Sequence, residues 1–258
     1  MTETSSRSES DDFIDRDAGD NVDLRDSLHS LSRLATASLE LQDLLVRVAT
    51  YAVRAIPNAE GAGLTLFQES RPDTIVASAD FVREVDAIQY GIGEGPCITA
   101  AAEKRTVRSG SLSTETSWPR FGPRVSRLGV HSVMSLPLLT SDEVLGAMNV
   151  YAHPADAFDA RAVELGELFA IPAAISVHNA RALEQARTLA TQLKAALVSR
   201  PIIDQALGIL MSRTGCTSDE AFDKLRVLSQ SENRKVSLIA QQIVDEAVRR
   251  ARARHVAD

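Results

Sequence analysis

The chain has 258 residues, 44% of them hydrophobic and 24% charged, with a formal net charge of −7; this is the composition of a globular chain with room for one or two domains, not of a disordered or fibrous one. No apolar run approaches the roughly 20 residues that cross a bilayer, and the polar, acidic N-terminus has neither the basic nor the apolar region of a secretory signal, so the expected location is the cytoplasm. Cys97 and Cys216 are far apart and form neither a disulfide framework nor a zinc-ligand pattern.

Residues 1–23 are acidic and Ser-rich with almost nothing to bury, which predicts a disordered tail. From Leu24 to Ile56 the apolar residues recur at steps of three and four (Leu28, Leu31, Leu34, then Leu41, Leu44, Leu45, Val48, Ala52), a helical pattern that Pro57 stops. The period changes over residues 58–152. Short apolar runs bounded by turn residues predict strands at 61–67, 74–79, 87–90, 133–139 and 144–151, with a hairpin turn at 140–143. Pro137 inside its strand predicts an edge position or a bulge. A helix is expected to open at Pro96 and run through Cys97 to Lys104. Consecutive strands flanked by helices predict an α+β domain on a mainly antiparallel sheet.

Four stretches in this region, YGIGEGPC (90–97), SWPRF (117–121), SVMSLPL (132–138) and LGAMNVY (145–151), resemble a GAF domain of the kind found in actinobacterial regulators. The resemblance covers residues 24–180. It implies a PAS-like sensor fold that takes a small-molecule, gas or redox signal, and in many members dimerises through flanking helices. It names no particular ligand, so the cofactor is left unknown.

Residues 160–199 return to a helical pattern. Leu183, Ala186, Ala190, Leu193 and Leu197 alternate steps of three and four, which predicts a short coiled-coil connector over 181–199 and a homodimer through it. Pro172 is expected to kink its start, and the stretch from Ser199 to Pro201 to break its end.

Three short helices follow over 200–258. The first carries apolar faces at Ile202, Ala206, Ile209, Leu210 and at Ile203, Leu207, Met211. Gly215 ends it. The second opens with Thr217 and Glu220 as a capping box, and the spacing of Phe222 places it in the core. The third presents Val236, Ile239, Ala240, Ile243, Val244, Ala247 and Val248 on one face. The stretch IDQALGILM (203–211), then Ala221, Phe222, Leu225, Arg226 and Ser229, then Asn233, Arg234, Lys235, Val236 and Ala240, are similar to an ANTAR domain. The resemblance implies a dimeric RNA-binding transcription antiterminator that holds RNA stem-loops. Leu207 stands where the family usually has a lysine, which removes a phosphate contact. Residues 200–258 hold 10 Lys and Arg against 8 Asp and Glu, a net of +2, while the rest of the chain carries −9; that asymmetry fits a C-terminal module that meets a polyanion. It fits equally well with Arg249, Arg250, Arg252 and Arg254 capping and solvating a helix end.

The candidate RNA-contacting residues are Arg213, Arg226, Arg234 and Lys235 for phosphates, Ser229 and Asn233 for bases or backbone, and Ala206 and Gly208 for close approach. Each has a plainer reading as capping or solvation. Cys97, at the start of its helix, reads either as a thiol with a lowered pKa and a ligand-binding role, or as a small buried apolar residue. The Gly93–Cys97 stretch has no phosphate-loop ending and reads as a tight turn opening a helix. His29, His131, His153, His178 and His255 do not cluster at metal spacing. Trp118 is expected to pack against the sheet. No catalytic arrangement is visible, so the sequence reads as a non-enzyme. The expected function is a GAF-gated, RNA-binding antitermination regulator that contacts no membrane; the other reading is a protein-interaction adaptor or ligand sensor whose helical module has lost RNA.

Overall fold

A computed structural model describes residues 4–34, 39–68, 71–141 and 143–255. The chain divides into two compact units, residues 1–184 and 185–258.

The first unit is built on a five-stranded antiparallel sheet. Its strands are β1 (Gly61–Gln68), β2 (Arg71–Ala77), β3 (Val107–Ser109), β4 (Ser132–Leu139) and β5 (Val144–Ala152), in the order β2-β1-β5-β4-β3. One face is covered by α1 (Thr4–Leu34), α2 (Leu41–Ala55) and the first part of α6 (Ala160–Thr214). Leu45, Val48, Leu64, Leu66, Met134, Met148, Val150, Leu165 and Phe169 form the apolar core on that side. The other face carries α3 (Asp80–Ile92), α4 (Pro96–Glu103) and α5 (Gly122–Ser126), over a smaller cluster that includes Val82, Trp118, Phe121, Val133 and Tyr151. Trp118 thus packs on the sheet side as its sequence context predicts. With helices on both faces, β5 has no solvent-facing register, and eight of its nine residues are buried.

The acidic tail does not read through as disorder. The chain is helical from Thr4, and α1 buries Leu24, Ser27, Leu31 and Leu34. Arg161 at the start of α6 reaches back to Asp17 and Asn21, a contact across the length of the unit that local composition cannot reveal. The helical pattern over 24–56 is divided between α1 and α2. The strand expected at 87–90 is the last turn of α3. Two of the four buried positions of α3 are polar, Asp86 and Gln89, so the helical period is absent from the apolar pattern. Pro137 pairs with Ala147 of β5, but lies beyond Ser135, the last residue of β4 that β3 covers. It occupies a locally uncovered edge, with a register shift just after it between Leu138 and Leu139.

In the second unit, α6 ends at Thr214, followed by α7 (Ser218–Glu232) and α8 (Val236–His255). The break expected at Ser199–Pro201 does not occur, and Pro172 and Pro201 both lie within α6. Gly215 adopts the left-handed conformation (φ 68°) and its N–H bonds to the Met211 carbonyl, closing α6. The capping box forms as the sequence predicts: Thr217 accepts from the Glu220 N–H, and the Glu220 carboxylate accepts from the Thr217 N–H at 2.9 Å. Ala206, Leu225, Ile239 and Ala240 form the small core, with Ile202, Ile203, Leu207, Leu210, Val236, Ile243 and Val244 against it. Phe222 is outside it, 43% exposed. Apolar residues are spread around this helix, and α7 buries only Ala221 and Leu225 while Phe222, Val227 and Leu228 face outward, so spacing alone misplaced this ring.

Candidate functional site

The first site grows from a polar stripe in an otherwise apolar sheet. Asn149 on β5 is paired with Gly63 of β1 on one side and Ser135 of β4 on the other. Ser135 Oγ donates to Asn149 Oδ1 at 2.7 Å. On the same face Asp86 descends from α3. Its Oδ1 accepts from the Tyr151 hydroxyl at 2.7 Å and from Asn149 Nδ2 at 3.3 Å. Glycine at 63 is a condition of this arrangement, since a Cβ there would lie 2.5 Å from Asp86 Oδ2. Asp86, Asn149, Ser135 and Tyr151 are all buried, and among the described residues no buried cation accompanies them. Desolvation raises the Asp86 carboxyl to about 7, against the lowering effect of its two hydrogen bonds. Asp86 Oδ2 and Gln89 Nε2 are buried with no protein partner.

Cys97 lies beside this cluster. Its backbone N–H donates to Gln89 Oε1 at 3.0 Å, and its Sγ is 2.9 Å from the Tyr90 hydroxyl. Burial pushes the thiol up to about 12. The lowered-pKa reading of Cys97 is therefore corrected: the helix N-terminus is present, but desolvation of a fully buried sulfur outweighs it. The Gly93–Cys97 stretch is the expected turn, with Gly93 left-handed (φ 67°) and Pro96 opening α4. Glu94 within it pins the 117–121 segment. It accepts from the backbone N–H of Arg120 at 2.7 Å and of Phe121 at 3.1 Å, and from Arg120 Nε at 2.9 Å. Desolvation pushes the Glu94 carboxyl up, but these donors outweigh it and hold it below the usual range.

The second site is the surface of the helical unit. The residues expected to meet RNA are not equivalent there. Ala206 is fully buried in the small core and is unavailable for contact. Ser229 is committed to the α7–α8 turn: its hydroxyl donates to the Arg234 carbonyl, and its own carbonyl accepts from the Arg234 N–H. Asn233 is the left-handed residue that ends α7 (φ 50°). Arg234 is held by Glu232 and by Gln242 Oε1 at 2.9 Å. Arg226 pairs with Asp223 at 2.9 Å, an exposed pair and therefore a weak one. Arg213 and Lys235 are exposed and, among the described residues, have no carboxylate at ion-pair distance. They are at opposite ends of α7, roughly 20 Å apart along its axis. Leu207 packs against the small core.

The family comparisons assign a domain to each of the two units. A GAF-domain model matches residues 38–178, more than half of the chain. The chain belongs to the GAF-domain family. An ANTAR-domain model matches residues 191–244, giving the GAF–ANTAR architecture. No curated protein matches. Among solved structures, the GAF domain of a phosphoenolpyruvate-protein phosphotransferase from Coxiella burnetii superposes with a TM-score of 0.51 at 16% identity, over 64% of this chain and 98% of that one. A free methionine-R-sulfoxide reductase from Neisseria meningitidis gives 0.48 at 14% identity, over 62% and 91%. At 16% identity the likeness to the first shows the fold alone. The Asp86 cluster lies within the GAF span, and Arg213, Arg226, Arg234 and Lys235 within the ANTAR span. Among the described residues no helix is long and apolar enough to cross a membrane, and no group of three or more His, Cys, Asp or Glu is placed to hold a metal ion.

Sequence reading missed Asp86, Gln89, Asn149 and Tyr151 as a group. Their signal is a few polar side chains among the buried positions of β5 and α3, which becomes legible only once the strands are in register.

Proposed function

We propose that this protein is a dimeric, RNA-binding transcription antitermination regulator of the cytoplasm, whose GAF domain takes a small-molecule signal and performs no catalysis. The observation that carries the reading is the ANTAR match over residues 191–244. The free cations Arg213 and Lys235 support it as phosphate contacts. On this reading the dimer holds paired RNA stem-loops, and a competing terminator hairpin does not form. Exposed Leu168, Ile171 and Ile175 on the first unit's part of α6, and exposed Leu189 and Leu193 on the second unit's part, supply apolar surface for a second copy. The unpartnered Asp86 Oδ2 and Gln89 Nε2 favour a polar ligand in the GAF domain, and the protonated, buried Cys97 disfavours thiol oxidation as the signal. The test is transcription in vitro through a terminator preceded by stem-loops selected for binding. Protein-dependent read-through that vanishes when the stem-loops are removed supports the proposal. Tight RNA binding without read-through would contradict it.

The adaptor reading would capture a protein partner through Leu207 and Met211. Leu207 is partly buried against the unit's own core, which leaves Met211, 38% exposed, as the anchor of that pair open to a partner.

A further inference from the structure

Gly208 stands well inside α6, its backbone is not among those in the left-handed region, and a Cβ built on it would meet nothing within 4 Å. Neither conformation nor packing within the chain asks for glycine, which is the poorest helix former after proline. What it leaves is bare backbone at the floor of a groove of about 410 Å³ between α6 and α8. Ile209 and the apolar side of α8 around Val248 form its walls, and Gln205, Ser212 and Arg213 bring polar groups to it.

The groove is polarised. Asp204 is exposed one turn before Gly208, while Arg213 lies beyond it with no acid at ion-pair distance among the described residues. The acids on the adjacent stretch of α8 are engaged, Asp245 by Gln241 and Glu246 by Arg250. Along α6 the lining runs from Gln205 to Arg213, about 12 Å at the rise of a helix, too short a trough to seat a partner helix over several turns. Its volume falls in the range of about 300–1,000 Å³ usual for sites that take small molecules. Apolar walls for a ring, an amide and a hydroxyl for its edge, and one free cation at one end match a single nucleotide.

We propose that this groove receives one unpaired nucleobase of an RNA loop, with Gln205 and Ser212 reading its edge and Arg213 holding the adjoining phosphate. The inference rests on the RNA-binding reading above and adds a base-specific subsite to it. In the full-length chain, Gly208→Leu fills the groove while improving helix propensity, so a loss of binding is not a loss of fold. The probe is the tightest binder from a pool of RNA stem-loops with randomised loops, prepared also with an abasic site at each loop position in turn. The expected result is that one abasic site weakens wild-type binding about ten-fold or more, the scale of one lost base-stacking contact. Gly208→Leu then weakens the intact RNA equally and shows no further loss with that abasic RNA. If Gly208→Leu binds and discriminates as the wild type does, the groove is not the base site, although the RNA reading stands. If the wild type binds no member of the pool, both fail. If Gly208→Leu changes the sedimentation of the RNA-free protein and leaves RNA binding intact, the occupant is a second copy and the proposal is overturned.

Discussion

The hydroxyl of Tyr151 donates to Oδ1 of Asp86 across 2.7 Å, joining the central strand of the sheet to α3 around a buried carboxyl. The bond is made to a group that burial has raised from its ordinary 3.8 to about 7. A folded-state pKa above the unfolded one means that the folded state binds the proton more tightly. The stability this contributes is fully present below the unfolded pKa and is lost as pH rises through the folded one. Within that window, from about pH 4 to about pH 7, the wild type should lose roughly 1.4 kcal/mol per pH unit relative to Asp86→Asn, which does not titrate. Urea unfolding followed by the fluorescence of Trp118, the chain's one tryptophan, reads this unit alone. A constant difference between the two proteins across the window would contradict the account.

Two glycines should respond in opposite ways to alanine. At Gly63 the new Cβ would lie 2.5 Å from Asp86 Oδ2 and 3.0 Å from Val82 Cγ1, and α3 must move. We expect a loss of about 1–3 kcal/mol, typical of overpacking, in the Trp118-monitored transition. At Gly208 the Cβ meets nothing. There alanine should raise the stability of the helical unit by about 0.5–1 kcal/mol, measured by circular dichroism on heating. Equal destabilisation at both positions would contradict the packing described.

Cys97 should be inert in the native protein. It is fully buried and its thiol is pushed up to about 12, whereas Cys216 is partly exposed. Iodoacetamide at mildly alkaline pH, with peptide mass spectrometry, should modify Cys216 and leave Cys97 until the chain is unfolded. Labelling of native Cys97 at the rate of a free thiol would restore a redox role for it.

Much of this architecture was legible in the residues because the relevant signals are local. The Thr217–Glu220 capping box, Gly215, the Gly93–Pro96 turn and four of the five strands each announce themselves within a few positions. What escaped depends on distant contacts. α1 is helical through an acidic stretch, with leucines docked against α2 and an arginine of α6 reaching back to it. α3 hides its period because Asp86 and Gln89 take two buried positions that an apolar pattern would fill. The three-residue strand β3 is too short to carry a period at all. Among the RNA candidates, Gly208, Arg213 and Lys235 are exposed on the helical unit. Local sequence could not reveal that Ala206 is core or that the Ser229 hydroxyl closes a turn.

The most direct test of the central claim is the salt dependence of RNA binding by the full-length chain. We expect log affinity for a selected stem-loop to fall linearly with log salt. The double variant Arg213→Ala, Lys235→Ala should reduce the slope by about one per cation removed. Arg226→Ala should do less, since Asp223 already shares that charge. Affinity that ignores salt and both free cations, or no RNA binding at low salt, would contradict the account and return the helical unit to the role of a protein adaptor.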